Sequence, residues 1–119
     1  MQFGLSEEQV LLQDNVNRFL DDHVSLDAVR AYAEGGEDDA IWQGLTQLGI
    51  PALLIDEEPG GLGLAPLDAA NVAESMGYHT APGPFLTSAV MAPTVFAVAG
   101  GQSDKLANLA SGELRVGIA

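Results

Sequence analysis

The chain has 119 residues, enough for one domain with a single hydrophobic core. Seventeen acidic and four basic residues give a net charge of −13, but 47% of the residues are apolar and only 18% are charged, which is typical of a folded globular chain. So few cations disfavour nucleic acid and anionic membranes as partners. The absence of cysteine excludes disulfides, thiolate metal sites and cysteine nucleophiles.

Two helices are predicted in the first third of the chain. Ser6 and Gln9 have the spacing of a capping box, and the apolar residues that follow recur with the helical period. Ser25 is expected to cap a short second helix over residues 26–33, which ends at a pair of glycines.

A third helix and an acidic loop are predicted next. Asp38 or Asp39 is expected to cap this helix, which presents Trp42 to the core and ends before a left-handed Gly49. The apolar residues 50–55 are too few to distinguish a buried strand from a buried connector. Residues 56–63, rich in acids and glycine, are a loop by composition.

The second half of the chain predicts three more helices, over residues 66–77, 84–99 and 104–110. Pro66 and Pro84 suit the first turns of two of them, Gly77 is expected to end the first, and Ser103 caps the last. Pro93 is expected to bend the middle one, because it removes a backbone donor. The predicted fold class is therefore all-α, a small bundle of five to six helices.

The end of the chain, residues 113–119, alternates polar and apolar residues like the beginning of a β-strand. No other segment is suited to pair with it. We therefore expect a helical domain over residues 1–112, followed by the start of a strand domain that is absent from this chain. We also expect residues 113–119 to be disordered or paired with another copy.

The sequence offers no strong catalytic or metal site. Gly61 and Gly63 resemble part of a dinucleotide-binding fingerprint, but Pro66 follows and the nearby acids would repel a pyrophosphate, so a turn that needs glycine is the better interpretation. His23 and His79 lack partners at ligand spacing, which predicts no metal site. The acids of the loop are interpreted as solvated, and Ser88 lacks the surroundings of a nucleophile.

Neither a targeting sequence nor a membrane span is predicted. Residues 1–8 carry acids where a presequence would carry bases. The longest apolar stretch, residues 85–99, is interrupted by polar residues and proline and is too short to span a bilayer. The sequence therefore predicts a soluble, cytoplasmic protein.

Several motifs occur in a fixed order along the chain. They are residues 1–9 at the first helix, Trp42 to Ile50, Gly60 to Leu64 in the acidic loop, Glu74 to Gly77, and residues 99–112. Together they resemble the N-terminal helical domain of the acyl-CoA dehydrogenase family, and the resemblance covers nearly every residue. The loop departs from the family pattern, since Asp56 and Pro59 replace its usual proline and tyrosine.

The resemblance implies an FAD-dependent enzyme that desaturates an acyl-CoA thioester, in fatty acid or steroid side-chain metabolism. FAD would be held mainly by a middle strand domain and a C-terminal helical domain, and a carboxylate of the latter would be the base. Electrons would leave through an electron-transfer flavoprotein or a similar acceptor, and the enzyme would be a homo- or hetero-oligomer. These 119 residues alone are then expected to be inactive and to hold no FAD.

The resemblance also implies that Pro84, Thr87, Ser88 and Met91 bind the acyl chain, since the family's corresponding helix lines the acyl tunnel. Their i, i+3, i+4, i+7 spacing puts them on one face of an α-helix. The alternative is a core stripe whose two hydroxyls bond to carbonyls of the preceding turn.

Other functions also stay open at this point. They are a stand-alone acidic helical interaction module, a domain of a flavin monooxygenase or acyl-CoA oxidase, and a noncatalytic subunit of a mixed acyl-CoA dehydrogenase complex.

Overall fold

A computed structural model describes residues 3–119 and contains six α-helices. They are α1 (Glu7–His23), α2 (Leu26–Ala33), α3 (Asp39–Gln47), α4 (Pro66–Tyr78), α5 (Ala92–Ala99) and α6 (Ser103–Ala110). A 3₁₀ turn at Ile50–Ala52 and a π-helical segment at Phe85–Met91 complete the regular structure of the described residues. The all-α prediction is confirmed. Over this range no helix is both long and apolar enough to cross a membrane.

The starts of α1 and α4 share one hydrogen-bond network. The predicted capping box is confirmed, since Ser6 Oγ accepts from the Gln9 backbone N–H (3.2 Å) and Gln9 Oε1 accepts from the Ser6 N–H (2.9 Å). Gln9 Nε2 also donates to Asp68 Oδ1 (3.1 Å), and Asp68 Oδ2 accepts from the Ala65 N–H (2.9 Å) that precedes α4. One buried carboxylate thus joins the first turns of two helices.

Two apolar clusters hold the helices together. The larger lies between α1, α3, α4 and the π-helical segment, and the predicted core residue Trp42 is buried within it at 2% exposure. Its other buried members are Val16, Leu20, Val24, Leu45, Ile50, Leu53, Val72, Met76, Phe85 and Ala89. The smaller joins Ile55, Ala92 and Leu109, with Leu114 and Val116 packed against them. Leu114 and Val116 of the C-terminal segment therefore pack against a core.

The residues between α3 and α4 form a buried connector. Gly49 has a φ of 81°, so the predicted left-handed residue after α3 is confirmed. The loop then folds back, so that the N–H groups of Leu62, Gly63 and Leu64 donate to carbonyls of residues 52–55 at 2.8–2.9 Å. The interpretation that Gly61 and Gly63 need to be glycine is confirmed, because Gly63 has a φ of 61° and a Cβ at Gly61 would overlap the Ile55 carbonyl.

The end of α4 differs from the prediction. The helix continues through Gly77 to Tyr78, and the left-handed position is occupied by Thr80, with a φ of 51°. Thr80 N–H donates to the Gly77 carbonyl (3.1 Å), and Ala81 N–H donates to that of Met76 (2.9 Å), which is a Schellman motif. The glycine thus lies three residues before the position that favours glycine.

We expect Thr80→Gly to stabilise the domain by about 1 kcal/mol, because glycine adopts a positive φ without the steric cost that threonine incurs. The change would appear as a higher urea midpoint at unchanged slope. Thr80→Ala is the control, since alanine keeps the steric cost. A glycine variant no more stable than the alanine variant would contradict the prediction.

The predicted side-chain cap at the start of α3 is wrong. Asp38 is the N-cap residue, but its side chain makes no capping bond. It accepts instead from Arg115 Nη1 at 3.0 Å, while Asp39 accepts from Nη2 of the same guanidinium at 2.7 Å. The acid at this position therefore holds the C-terminal segment.

Residues 113–119 form no strand in the described structure, and the expectation of disorder is wrong for Leu114 and Val116, which bond to the chain itself. Pairing with another copy stays a prediction. Leu114 N–H donates to the Asn108 carbonyl (3.0 Å), and Val116 N–H donates to Ser88 Oγ (2.8 Å). These bonds satisfy backbone groups that would otherwise need a neighbouring strand.

Candidate functional site

The helical run over residues 85–99 changes type where a bend was predicted. The Ala92 N–H donates to the Thr87 carbonyl five residues back, which is the hydrogen bond of a π-helix. Pro93 follows at the start of α5 and has no N–H to donate. A proline ring also crowds the carbonyl four residues earlier, and a wider turn relieves that contact. Single π-helical turns are rare and are frequent at functional sites.

The four residues expected to bind an acyl chain do not share one face, because the wider turns of Phe85–Met91 break the i, i+3, i+4, i+7 alignment. Pro84 and Thr87 border a groove of about 320 Å³ together with Tyr32 and Arg115. Ser88 is fully buried. Met91 is 38% exposed, and it lies outside this groove.

Ser88 holds the C-terminal segment. Its Oγ accepts from the Val116 N–H at 2.8 Å and donates to the Val116 carbonyl at 3.4 Å. Thr87 Oγ1 donates to the Pro84 carbonyl at 3.5 Å. The core-stripe alternative, in which both hydroxyls bond to the preceding turn, thus describes Thr87 and is wrong for Ser88.

A guanidinium forms one edge of the same groove. Arg115 bonds to Asp38 and Asp39, and it lies 5.8 Å from the centre of the Trp42 ring. Trp42 Nε1 in turn donates to the Gly112 carbonyl at 3.4 Å. Since two carboxylates neutralise this cation, Arg115 anchors the chain and is not a free anion-binding group.

A second, apolar groove of about 240 Å³ lies on another side of the π-helical segment, and sequence reasoning missed it. Its lining residues are Leu54, Pro66, Ala69, Ala70, Ala73, Phe85, Leu86 and Val90. The signal available in the sequence was the run of small residues on α4. Their small side-chain volume leaves an open groove in the structure.

The acids and histidines singled out in the sequence are apart from one another. Glu57 and Glu58 lie in the acidic loop, and His23 Nδ1 is bonded to the Phe19 carbonyl (3.0 Å) in the last turn of α1. Among residues 3–119, no group of three or more His, Asp or Glu side chains is placed to hold a metal ion. Among the described residues the geometry therefore offers binding surfaces.

His79 joins the end of α4 to α1. Its Nε2 lies 2.7 Å from Asp21 Oδ1, and its Nδ1 lies 2.9 Å from the Ser75 carbonyl. Burial alone lowers the pKa of His79, but the hydrogen bonds to Asp21 and Ser75 and the charge of Asp21 together outweigh burial and raise that pKa above its usual 6.5. The folded state thus favours the charged imidazole.

A pH-dependent stability follows from this pair. Because the folded pKa of His79 is raised, the stabilisation is complete below about pH 6.5 and is lost as pH rises through the folded pKa. We expect a loss of up to about 1 kcal/mol, since Asp21 is 70% exposed and screened by solvent. The free energy of unfolding from urea titrations should fall as pH rises through this range, in the parent chain and in the control variant Asp22→Asn. In Asp21→Asn this dependence on pH should be weaker, and an equal dependence would contradict the assignment.

Comparison with known proteins identifies the family of this chain. Residues 6–113 match the family model described as "Acyl-CoA dehydrogenase, N-terminal domain". The chain is 38% identical over 111 residues to acyl-CoA dehydrogenase IpdE2 of Mycolicibacterium smegmatis, covering 91% of this chain and 35% of that protein. It is 34% identical over 109 residues to the protein of the same name from Mycobacterium tuberculosis, covering 89% and 34%. The chain thus spans about a third of the length of these relatives. No solved structure gives a significant match.

Proposed function

Since the chain belongs to the acyl-CoA dehydrogenase family, as its N-terminal domain, we propose that it forms the first helical part of an FAD-dependent enzyme that desaturates acyl-CoA thioesters. The match over residues 6–113 carries this proposal, together with two relatives named as acyl-CoA dehydrogenases. The whole protein would work in the cytoplasm as an oligomer and pass its electrons to an electron-transfer flavoprotein or a similar acceptor.

The described residues do not fit FAD. The amides of Leu62, Gly63 and Leu64 are bonded within the loop, and Arg115 is bonded to two carboxylates, so neither supplies a free group for a pyrophosphate. We therefore assign FAD to parts of the whole protein outside these 119 residues. FAD would supply the redox chemistry of the whole protein.

The proposed role of this chain is to form part of the wall of the acyl pocket, with Pro84, Thr87, Ser88 and Met91 as the contributing residues. Support comes from the groove that Pro84 and Thr87 border and from the partial exposure of Met91, a flexible side chain that adapts to an apolar ligand. Ser88 would act indirectly, by holding Val116 beside the groove.

The pocket is tested in the whole protein with Met91→Trp and a matched variant, Leu86→Trp, on the apolar-groove side of the same segment. We expect Met91→Trp to lower kcat/KM for long or bulky acyl-CoAs about tenfold more than for short ones, because the indole occupies space that the chain needs. Leu86→Trp should lower kcat/KM equally for all acyl-CoAs or leave it unchanged. Ser88→Phe is not a useful test, because Ser88 is fully buried and the larger ring would disrupt the fold.

Two outcomes would overturn parts of the proposal. Selectivity altered by Leu86→Trp and unaltered by Met91→Trp would move the acyl chain to the apolar groove. A flavin-loaded whole protein that reduces no acceptor dye with acyl-CoAs of any length would overturn the proposed reaction itself.

A further inference from the structure

Gly117 is a glycine whose missing side chain the fold does not explain. Most glycines of this chain either have a positive φ or lie so close to other atoms that a Cβ would not fit. Gly4, Gly77 and Gly117 meet neither condition, since a Cβ on each would contact nothing within 4 Å beyond the adjacent residues. Glycine at such a position lowers stability, because it loses more conformational freedom on folding than any other residue. Of these three glycines, only Gly117 borders one of the two grooves described above.

The groove beside Gly117 lies between two segments of the chain. Gly83, Pro84 and Thr87 line it from the start of the helical run, and residues 115–117 line it from the C-terminal segment. Each segment thus contributes one glycine to the lining, and the groove is wider than side chains at both positions would allow. The φ of 121° at Gly83 accounts for the first glycine, because other residues rarely adopt it. Gly117 has no such reason in its backbone.

The two residues before Gly117 are held in place from three sides. Arg115 bonds to both carboxylates at the start of α3, at 3.0 and 2.7 Å. Val116 bonds through its N–H and its carbonyl to the buried Ser88 hydroxyl, at 2.8 and 3.4 Å, and its side chain packs against the smaller apolar cluster. The open space at Gly117 is therefore a fixed feature of the groove, because the segment cannot shift without breaking these contacts.

We infer that Gly117 is a specificity-determining residue of this groove, where its missing side chain leaves the width that a bulky acyl group needs. The inference rests on the proposed function, which puts an acyl group in the groove. A branched or ring-bearing acyl group is wider than a straight chain and needs the space that a side chain at position 117 would occupy. A larger residue there would narrow the groove without disturbing the core, because the added Cβ meets no protein atom.

The test uses the flavin-loaded whole protein and acyl-CoAs of equal chain length and increasing width, from straight to branched to ring-bearing. We expect Gly117→Leu to lower kcat/KM for the widest acyl-CoA that the parent accepts at least tenfold more than for the straight chain. The loss should appear mainly as a higher KM, because contacts to this part of the acyl group stabilise the bound substrate and the transition state alike. Gly117→Ala should shift the selectivity in the same direction by a smaller factor.

The matched control is Gly77→Leu, which adds the same side chain at another exposed glycine with open surroundings, within α4 and outside the groove. It should leave the selectivity unchanged. Equal losses for straight and wide acyl-CoAs in Gly117→Leu, or the same change of selectivity in Gly77→Leu, would overturn the inference. A markedly lower Tm of Gly117→Leu would also overturn it, since the fold would then require the glycine. A parent protein that oxidises none of the acyl-CoAs would overturn the proposed function, and this inference with it.

Discussion

Gly61→Ala is expected to destabilise the domain by about 2 to 4 kcal/mol, because a Cβ at this position would overlap the Ile55 carbonyl. The obstacle is backbone and cannot rotate away. The same carbonyl accepts from Gly63 N–H at 2.8 Å, in the set of bonds that folds the acidic loop onto the connector. Relieving the overlap would therefore stretch or break these bonds.

The control is Gly77→Ala. Gly77 lies within α4, and a Cβ there would meet nothing within 4 Å. Alanine should stabilise the domain by up to about 1 kcal/mol through its higher helix propensity. Urea unfolding of the two variants should give midpoints on opposite sides of that of the parent chain. A Gly61→Ala variant as stable as the parent would show that the loop can move freely.

Asp68→Ala is expected to lower the free energy of unfolding by about 2 kcal/mol, because this buried carboxylate accepts hydrogen bonds from the Ala65 N–H and from Gln9 Nε2. The loss would remove the cap of α4 together with its connection to α1. Asp68→Asn should be milder, since the amide oxygen still accepts one of the two hydrogen bonds.

A double-mutant cycle with Gln9→Ala separates the two roles of Asp68. If the Gln9 bond contributes to stability, the double variant should lose less than the sum of the single losses. The free energy of unfolding from urea titrations measures each term. Strictly additive losses would mean that the two helices are capped independently, and an Asp68→Ala loss below about 0.5 kcal/mol would contradict the capping role.

Most features that depend on neighbouring residues were predictable, but the cap predicted at Ser103 was wrong, since α6 begins at Ser103 and its N-cap residue, Gln102, makes no side-chain capping bond. The box at Ser6 and Gln9, the cap at Ser25 and the left-handed Gly49 were all found as predicted, because each depends on backbone groups within four residues. Trp42 was predictable as a core residue because a large apolar side chain on a periodic helix face has few other stable positions.

The end of α4 was not predictable from its glycine. His79 is bonded to Asp21, 58 residues earlier in the chain, and Ala81 packs against the main core. These distant contacts extend the helix past Gly77 and place Thr80 in the left-handed position. Local glycine preference was outweighed by tertiary contacts.

The candidate site was likewise predictable only in its local features. The sequence predicted a helical run over residues 84–99 and a bend at its proline. It did not predict the hydrogen bonds between Ser88 and Val116, 28 residues apart, and between Arg115 and Asp38, 77 residues apart. Nothing in the local spacing encodes these contacts. Helix starts and apolar periodicity follow from short-range sterics and hydrogen bonding, which the order of residues specifies directly. The π-helical register, the path of residues 113–117 and the two grooves follow from how distant side chains pack, and only the folded chain brings those side chains together.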